Sequence, residues 1–281
     1  MASTILNGTD NIIMTKVIAL ASVGLVSNFN LIIQAISSVV DQIPNAVVAS
    51  VGNLNASESK EKKNQIFDVM FFACVWIYGF CASGVFFFSN EFVSIVFGPK
   101  WQIDPIVIFA LALHFYVSSV MSPSYTYRTT LGYFVQGKYA PVAASIINIV
   151  LSIVLGKWIG LSGVFFATSI SRFFTMGLVD PILIYKNCFQ KNPVIYYIRY
   201  FGFFAVVAAI SFASKTVMSF ITIDGIAGFI LRVAVYAVVF NALALLVSFK
   251  TKEFSYIKTT VYEKFIKKIL IKLGRVKPEK E

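Results

Sequence analysis

The sequence predicts an all-α, polytopic integral membrane protein. Of its 281 residues, 58% are hydrophobic and 13% charged, and 28 are Phe. A soluble globular chain keeps about a quarter of its residues charged. The mean hydropathy is +0.78. Six apolar runs, near 69–89, 103–123, 140–157, 160–182, 199–221 and 225–249, are long enough or nearly so to cross a hydrocarbon core of about 30 Å at about 1.5 Å per residue. A less apolar seventh span is expected over 25–50, so the chain should hold about seven spans, with a partial helix before them.

Residues 1–24 hold only a short apolar run interrupted by Asn7, Asp10, Asn11 and Lys16. They read as the remnant of a helix and its connection. Residues 25–50 read LVSNFNLIIQAISSVVDQIPNAVVAS. Ser27, Asn30, Gln34, Ser38, Asp41 and Asn45 recur at steps of three and four, which is one face of an α-helix. Such a helix spans a membrane only if that face meets protein or water. It is either glue between helices through Ser and Asn, or a cavity wall; the ionisable Asp41 favours the wall. Pro44 removes a backbone hydrogen bond and predicts a kink.

The run 69–89 has hardly any polar residues, so it faces lipid or forms buried scaffold. The later spans carry weaker stripes: His114, Ser118, Ser122 and Tyr125; Ser145, Asn148 and Ser152; Thr168, Arg172 and Thr175. Arg172 sits about 18 Å along its helix from the nearer outer end. It is either a structural partner for a carboxylate or carbonyls, or an anion contact in a cavity. His114 by itself reads as an interior histidine. Gly160 and Gly163 open one helix, and Gly225 and Gly228 open another; small residues at this spacing let helix ends approach closely.

Positive charge sorts onto alternate connections. Residues 53–66 carry Lys60, Lys62 and Lys63; 124–139 carry Arg128 and Lys138; 183–198 carry Lys186 and Lys191, with Arg199 at the edge; ten more basic residues follow from Lys250. The other connections carry Lys100 and Lys157, with Lys215 near a helix end. The positive-inside rule then puts the basic side and the C-terminus in the cytoplasm. In the tail, 250–281, apolar residues from Phe254 to Leu273 recur at helical spacing among lysines, as in an amphipathic helix lying on an anionic leaflet. Most of the net charge of +11 arises in the tail and the cytoplasmic connections. No nucleic-acid-binding module accompanies it, so no nucleic-acid partner is expected. Three cysteines form no disulfide framework, and with one histidine no metal-ligand spacing exists; no cofactor or metal is expected.

Five stretches, in order, give a family resemblance. They are GTDNIIMTKVIALASVGLVSNFNLI at 8–32, ASVGNLNA at 49–56, YRTTLGYFVQGKYAP at 127–141, IINIVLSIVLGKWIGLSGVFFATSISRF at 146–173 and VDPILIYKNCF at 179–189. The chain resembles the polysaccharide flippases that move undecaprenyl-diphosphate-linked O-antigen and capsule repeat units. They belong to the exporter superfamily that includes the multidrug and toxin extruders.

Members of the family have two six-helix lobes and two further helices. The resemblance implies that this chain corresponds to the C-terminal portion. Residues 1–24 would be the end of a helix, 25–189 an incomplete six-helix lobe, 190–249 the two extra helices and 250–281 the basic tail. It implies an N-terminal lobe as missing partner, membrane lipids as surroundings, and the bacterial cytoplasmic membrane as location. It implies alternating access around a cationic cavity that takes the sugar diphosphate, without enzymatic chemistry. The matching candidates are Arg172, Lys16 and Arg128 for phosphate, Asn30, Gln34, Asn148 and Tyr125 for the glycan, and Asp41 or Asp10 for a coupling proton or sodium ion. The chain has Gln136-Gly137-Lys138 where relatives carry an acidic residue before the basic one.

Three other readings stay open: a drug or cation antiporter of the same fold, a polytopic polymerase or ligase, and a truncated, inactive fragment. An antiporter favours carboxylates over Arg172. A polymerase or ligase needs a large outer loop or a catalytic cluster.

Overall fold

A computed structural model describes the backbone of residues 20–261 and the side chains of residues 24–260. Among the described residues the chain is helical with short connections and no strand, and it is a polytopic membrane protein. Within the described residues, six stretches are long and apolar enough to cross a membrane, or seven if the bent first pair is one span. Lys16, Asp10 and the tail beyond Val261 lie outside the described residues.

The bent pair is α1 (Leu20–Val40) and α2 (Gln42–Ser57), which meet at 42°. The bend follows from Pro44. Proline has no N–H to give to the carbonyl four residues back, and its ring crowds that carbonyl. That residue is Val40, where α1 ends. The predicted connection 53–66 is instead almost wholly helical. Only Glu58 and Ser59 separate α2 from α3 (Lys60–Phe97), and the Ser59 hydroxyl accepts from the Lys62 N–H at 3.3 Å to start the new helix. Charged residues can extend a helix beyond the lipid, and α3 does so. Its 38 residues span about 57 Å, well beyond a hydrocarbon core of about 30 Å.

At its far end α3 is held to the short loop after it. Asn90 Nδ2 donates to the Ile103 carbonyl at 2.8 Å, and its Oδ1 accepts from the Ile103 N–H at 3.1 Å. Asp104 caps α4 (Pro105–Val120) by accepting from the Ile106 N–H at 2.9 Å. The predicted connection 124–139 is largely helical, with turns at 131–133 and 138–139: α5 (Ser122–Thr130) and α6 (Phe134–Gly137). Then come α7 (Ala140–Ile159), with Pro141 in its first turn, and α8 (Leu161–Phe174).

The span expected at 160–182 lies within one membrane-crossing stretch, Leu161–Phe189, whose first helix is interrupted at Thr175. It continues as α9 (Met176–Leu183) and a π-helical turn, Ile184–Phe189. That turn and the first residues of α10 (Val194–Met218) take up most of the connection expected at 183–198. Next come α11 (Gly225–Ser248) and α12 (Lys252–Val261).

The nearly nonpolar run predicted at 69–89 is the scaffold. Helix α3 packs against α1, α4, α10, α11 and α12. A ladder of polar contacts ties it to the antiparallel α11: Trp76 Nε1 donates to Asn241 at 3.0 Å, the Ser83 and Tyr236 hydroxyls meet at 2.7 Å, and Glu91 pairs with Arg232.

At the basic end, Phe67 of α3 is fully buried. Its ring centroid lies 5.2 Å from that of Tyr127, 5.5 Å from Phe189 and 5.9 Å from Tyr185. Edge-to-face pairs of this kind add about 0.5–1.5 kcal/mol each beyond area burial. The Tyr127 hydroxyl also donates to the Lys63 carbonyl at 2.9 Å. These contacts lock α5, α3 and the π turn together.

Candidate functional site

Helix α1 turns one side to the core and leaves a mixed side open, where Leu31 and Val39 are exposed beside the polar stripe. Val26 and Phe29 are buried, and Ile33, Ile36 and Val40 pack against the core. On the neighbouring face Ser27, Gln34 and Ser38 are exposed and Asn30 is half-buried; in α2, Asn45 is exposed. The stripe is turned outward rather than into a seam between helices. Some of its polarity is met locally. Ser38 Oγ donates to the Ala35 carbonyl at 2.8 Å, and Gln42 Nε2 donates to the Ser38 carbonyl at 3.0 Å.

Asp41 lies at the bend itself. Its Oδ1 accepts from the Tyr78 hydroxyl at 2.5 Å, which ties the bend to the scaffold helix. The Tyr78 ring meets that of Phe115 edge-on at 5.7 Å, six residues before Met121, where α4 gives way to α5. Met121 in turn touches the break in the α8–α9 span. A Cβ built on Gly177 would stand 2.5 Å from Met121 Cε, so any larger residue there would push the methionine end aside. The three interrupted spans are therefore joined through the set Asp41, Tyr78, Phe115, Met121 and Gly177.

Arg172 is in the last turn of α8, next to the Thr175 break. Its Nη1 donates to Ser118 Oγ of α4 at 3.2 Å, and its charge lies within electrostatic reach of His114, one turn before Ser118. The predicted stripe of α4 and that of α8 thus face each other. The predicted stripe of α7 does likewise, but inside a closed seam. Asn148 and Ser152 have no exposed surface, and Asn148 Nδ2 donates to Thr168 Oγ1 at 2.9 Å. The amide of Asn148 joins α7 to α8.

Arg128 is buried and pairs with the buried Asp180 of α9, Nε to Oδ1 at 2.8 Å. Its guanidinium lies 5.3 Å from the centroid of the exposed Tyr125 ring. A Cβ on Gly137 would meet Arg128 Nη1 at 2.8 Å, so α6 approaches the ion pair closely because position 137 is glycine. Around this pair α5, α6 and α9 pack together, and α2 joins through Asn55, which donates to Thr130 Oγ1 at 2.7 Å.

The structure thus brings Arg172 together with Ser118 and His114, and gathers Arg128 and Tyr125 at the basic end. Asn30 and Gln34 stand on the outward face of α1. Sequence reasoning missed Tyr78 and Asp180. An aspartate inside an apolar span was the signal for Asp180, since a buried carboxylate requires a cation. Nothing in the spacing pointed to Tyr78. Scans of protein-family models, of curated proteins and of solved structures find no match to this chain.

Proposed function

We propose that the chain forms one wall of a transport pathway that moves an undecaprenyl-diphosphate-linked oligosaccharide across the bacterial cytoplasmic membrane, with its basic end and C-terminus in the cytoplasm. The carrying observation is the outward polar face of α1 and α2, on which Gln34, Ser38 and Asn45 are exposed. Hydrocarbon cannot satisfy amides and hydroxyls, so this face requires water or polar protein opposite it. An opposing lobe would complete the pathway, as alternating access requires two walls.

In this reading Asn30 and Gln34 hydrogen-bond sugar hydroxyls. Arg172, beside the α8 break, receives the diphosphate as the planar, always-charged donor that such a group requires. Asp41, at the α1–α2 bend, takes the coupling ion. Asn148 is left out because it has no exposed surface, and Arg128 because its charge is met by Asp180. The antiporter reading is weaker: it calls for a carboxylate where Arg172 stands.

The test labels single cysteines with a membrane-impermeant polar thiol reagent. Replacements at Asn30, Gln34 and Asp41 should react faster than those at Ile33 and Ile36, which pack against the core. Equal labelling of both sets would remove the polar wall. In cells that export the lipid-linked sugar through this protein, Arg172→Ala should abolish export at unchanged protein level. Normal export would take Arg172 out of the substrate path.

A further inference from the structure

Helix α12 does not hang free of the bundle. Phe254 stacks on Trp76 of α3 with ring centroids 6.0 Å apart, and Lys62 Nζ stands 5.0 Å from the centroid of the Tyr256 ring. Phe254 and Ile257 are half-buried, while Lys252, Ser255, Lys258 and Thr259 are exposed. The helix is thus clasped to the scaffold by aromatic contacts, with a lysine-bearing face outward. Its neighbours at this end add charge: the Lys60 and Lys191 charges both reach Glu61, and Glu253 lies within reach of the Asp68–Arg199 ion pair.

Next to these lysines lie apolar residues that face outward from the membrane-spanning helices. Leu246 is 75% exposed and Phe249 65%, immediately before Lys250 and Lys252. Ile198 is 68% exposed, seven residues after Lys191. Each strip runs from apolar surface to exposed ammonium groups over a few residues. That sequence of surfaces fits a molecule with acyl chains on one side and a negative phosphate on the other. An acidic protein or a free anion would have no use for the apolar half. Lysines, as flexible point charges, suit a mobile layer of head groups better than one fixed bidentate ligand.

We propose that α12 and the lysines beside it, Lys191, Lys250, Lys252 and Lys258, form a binding surface for anionic phospholipids. The surface grips head-group phosphate while Leu246, Phe249 and Ile198 hold the chains. Lysines near an anionic lipid surface each add to its attraction, and these four act together. This surface is separate from the polar wall of α1 and stands whether or not the chain moves a lipid-linked sugar.

The experiment uses the full chain in mild detergent with equal amounts of phosphatidylglycerol and phosphatidylcholine, and counts retained lipids by native mass spectrometry. The wild-type protein should retain phosphatidylglycerol over phosphatidylcholine by about tenfold or more. Replacing Lys191, Lys250, Lys252 and Lys258 together with Gln should bring the ratio close to one, while replacing the same four with Arg should preserve it. An unchanged ratio in the Gln variant overturns the proposal. So does displacement of the lipid by excess inorganic phosphate, because the chains would then contribute nothing.

Discussion

The Tyr78 hydroxyl donates to the Asp41 carboxylate at 2.5 Å, across the point where α1 turns into α2. One residue belongs to the continuous scaffold helix and the other to the most sharply bent span. Pro44 makes the bend, and Tyr78 fixes where the bend sits. A hydrogen bond to a charged acceptor is worth about 1.5–3 kcal/mol.

Tyr78→Phe should therefore lower stability by about that amount while keeping the ring's contact with Phe115. It should also free the bend. Spin labels at Leu31 of α1 and Asn53 of α2, both exposed, should report a broader distance distribution in the variant than in the parent. A lowered unfolding midpoint with an unchanged distribution would mean that the bend is set by Pro44 alone.

The Arg128–Asp180 pair makes a different prediction because both partners are buried. Removing one leaves an uncompensated charge, at a cost of about 3–5 kcal/mol; replacing both with apolar residues costs much less. Asp180→Asn should sharply reduce the yield of monodisperse protein and lower its melting temperature. Arg128→Met combined with Asp180→Leu should recover most of that loss. If the double variant behaves like the single one, the pair's role lies in its charge and not in packing.

Much of the fold could be read from the sequence because lipid imposes one rule, a run of apolar residues of fixed length. Pro44 gave the bend for an equally local reason. The connections were misread where that rule stops. Residues 60–68 carry lysines and a glutamate, so hydropathy ends a span there, yet the α3 backbone continues as helix into water. The break at Thr175 has no local signature. Gly177 allows the close approach of Met121, but the partner comes from 56 residues earlier in the chain.

The site divides in the same way. The period of the α1 stripe and that of the α7 stripe were both legible, and they are alike in composition. What each face meets is not encoded in its period. Asn148 meets Thr168 in a closed seam, while Gln34 faces outward. Likewise Arg128 and Asp180 are 52 positions apart, and only packing of α5 on α9 joins them.

Two glycine pairs that looked alike in the sequence carry the last prediction. Gly160 and Gly225 have φ of 63° and 74°, a left-handed conformation that opens α8 and α11. Three residues later, a Cβ at Gly163 would lie 2.2 Å from the Leu155 carbonyl oxygen, and one at Gly228 would lie 1.8 Å from that of Ile223. Both obstacles are backbone, which cannot rotate aside as a side chain can. Ile223 also accepts from Arg232 at 2.9 Å, so its position is fixed twice. Gly163→Ala and Gly228→Ala should each cost about 1–3 kcal/mol, at the upper end because no side chain can yield. Gly202→Ala is the matched control: the same change within α10, with nothing within 4 Å of the new methyl group. It should be neutral or slightly stabilising, since alanine favours helix over glycine. Melting temperatures of the three variants, measured by intrinsic fluorescence in one detergent, decide the matter. Equal values would show that the helix openings can relax, and that the shared glycine spacing has no role in closing them.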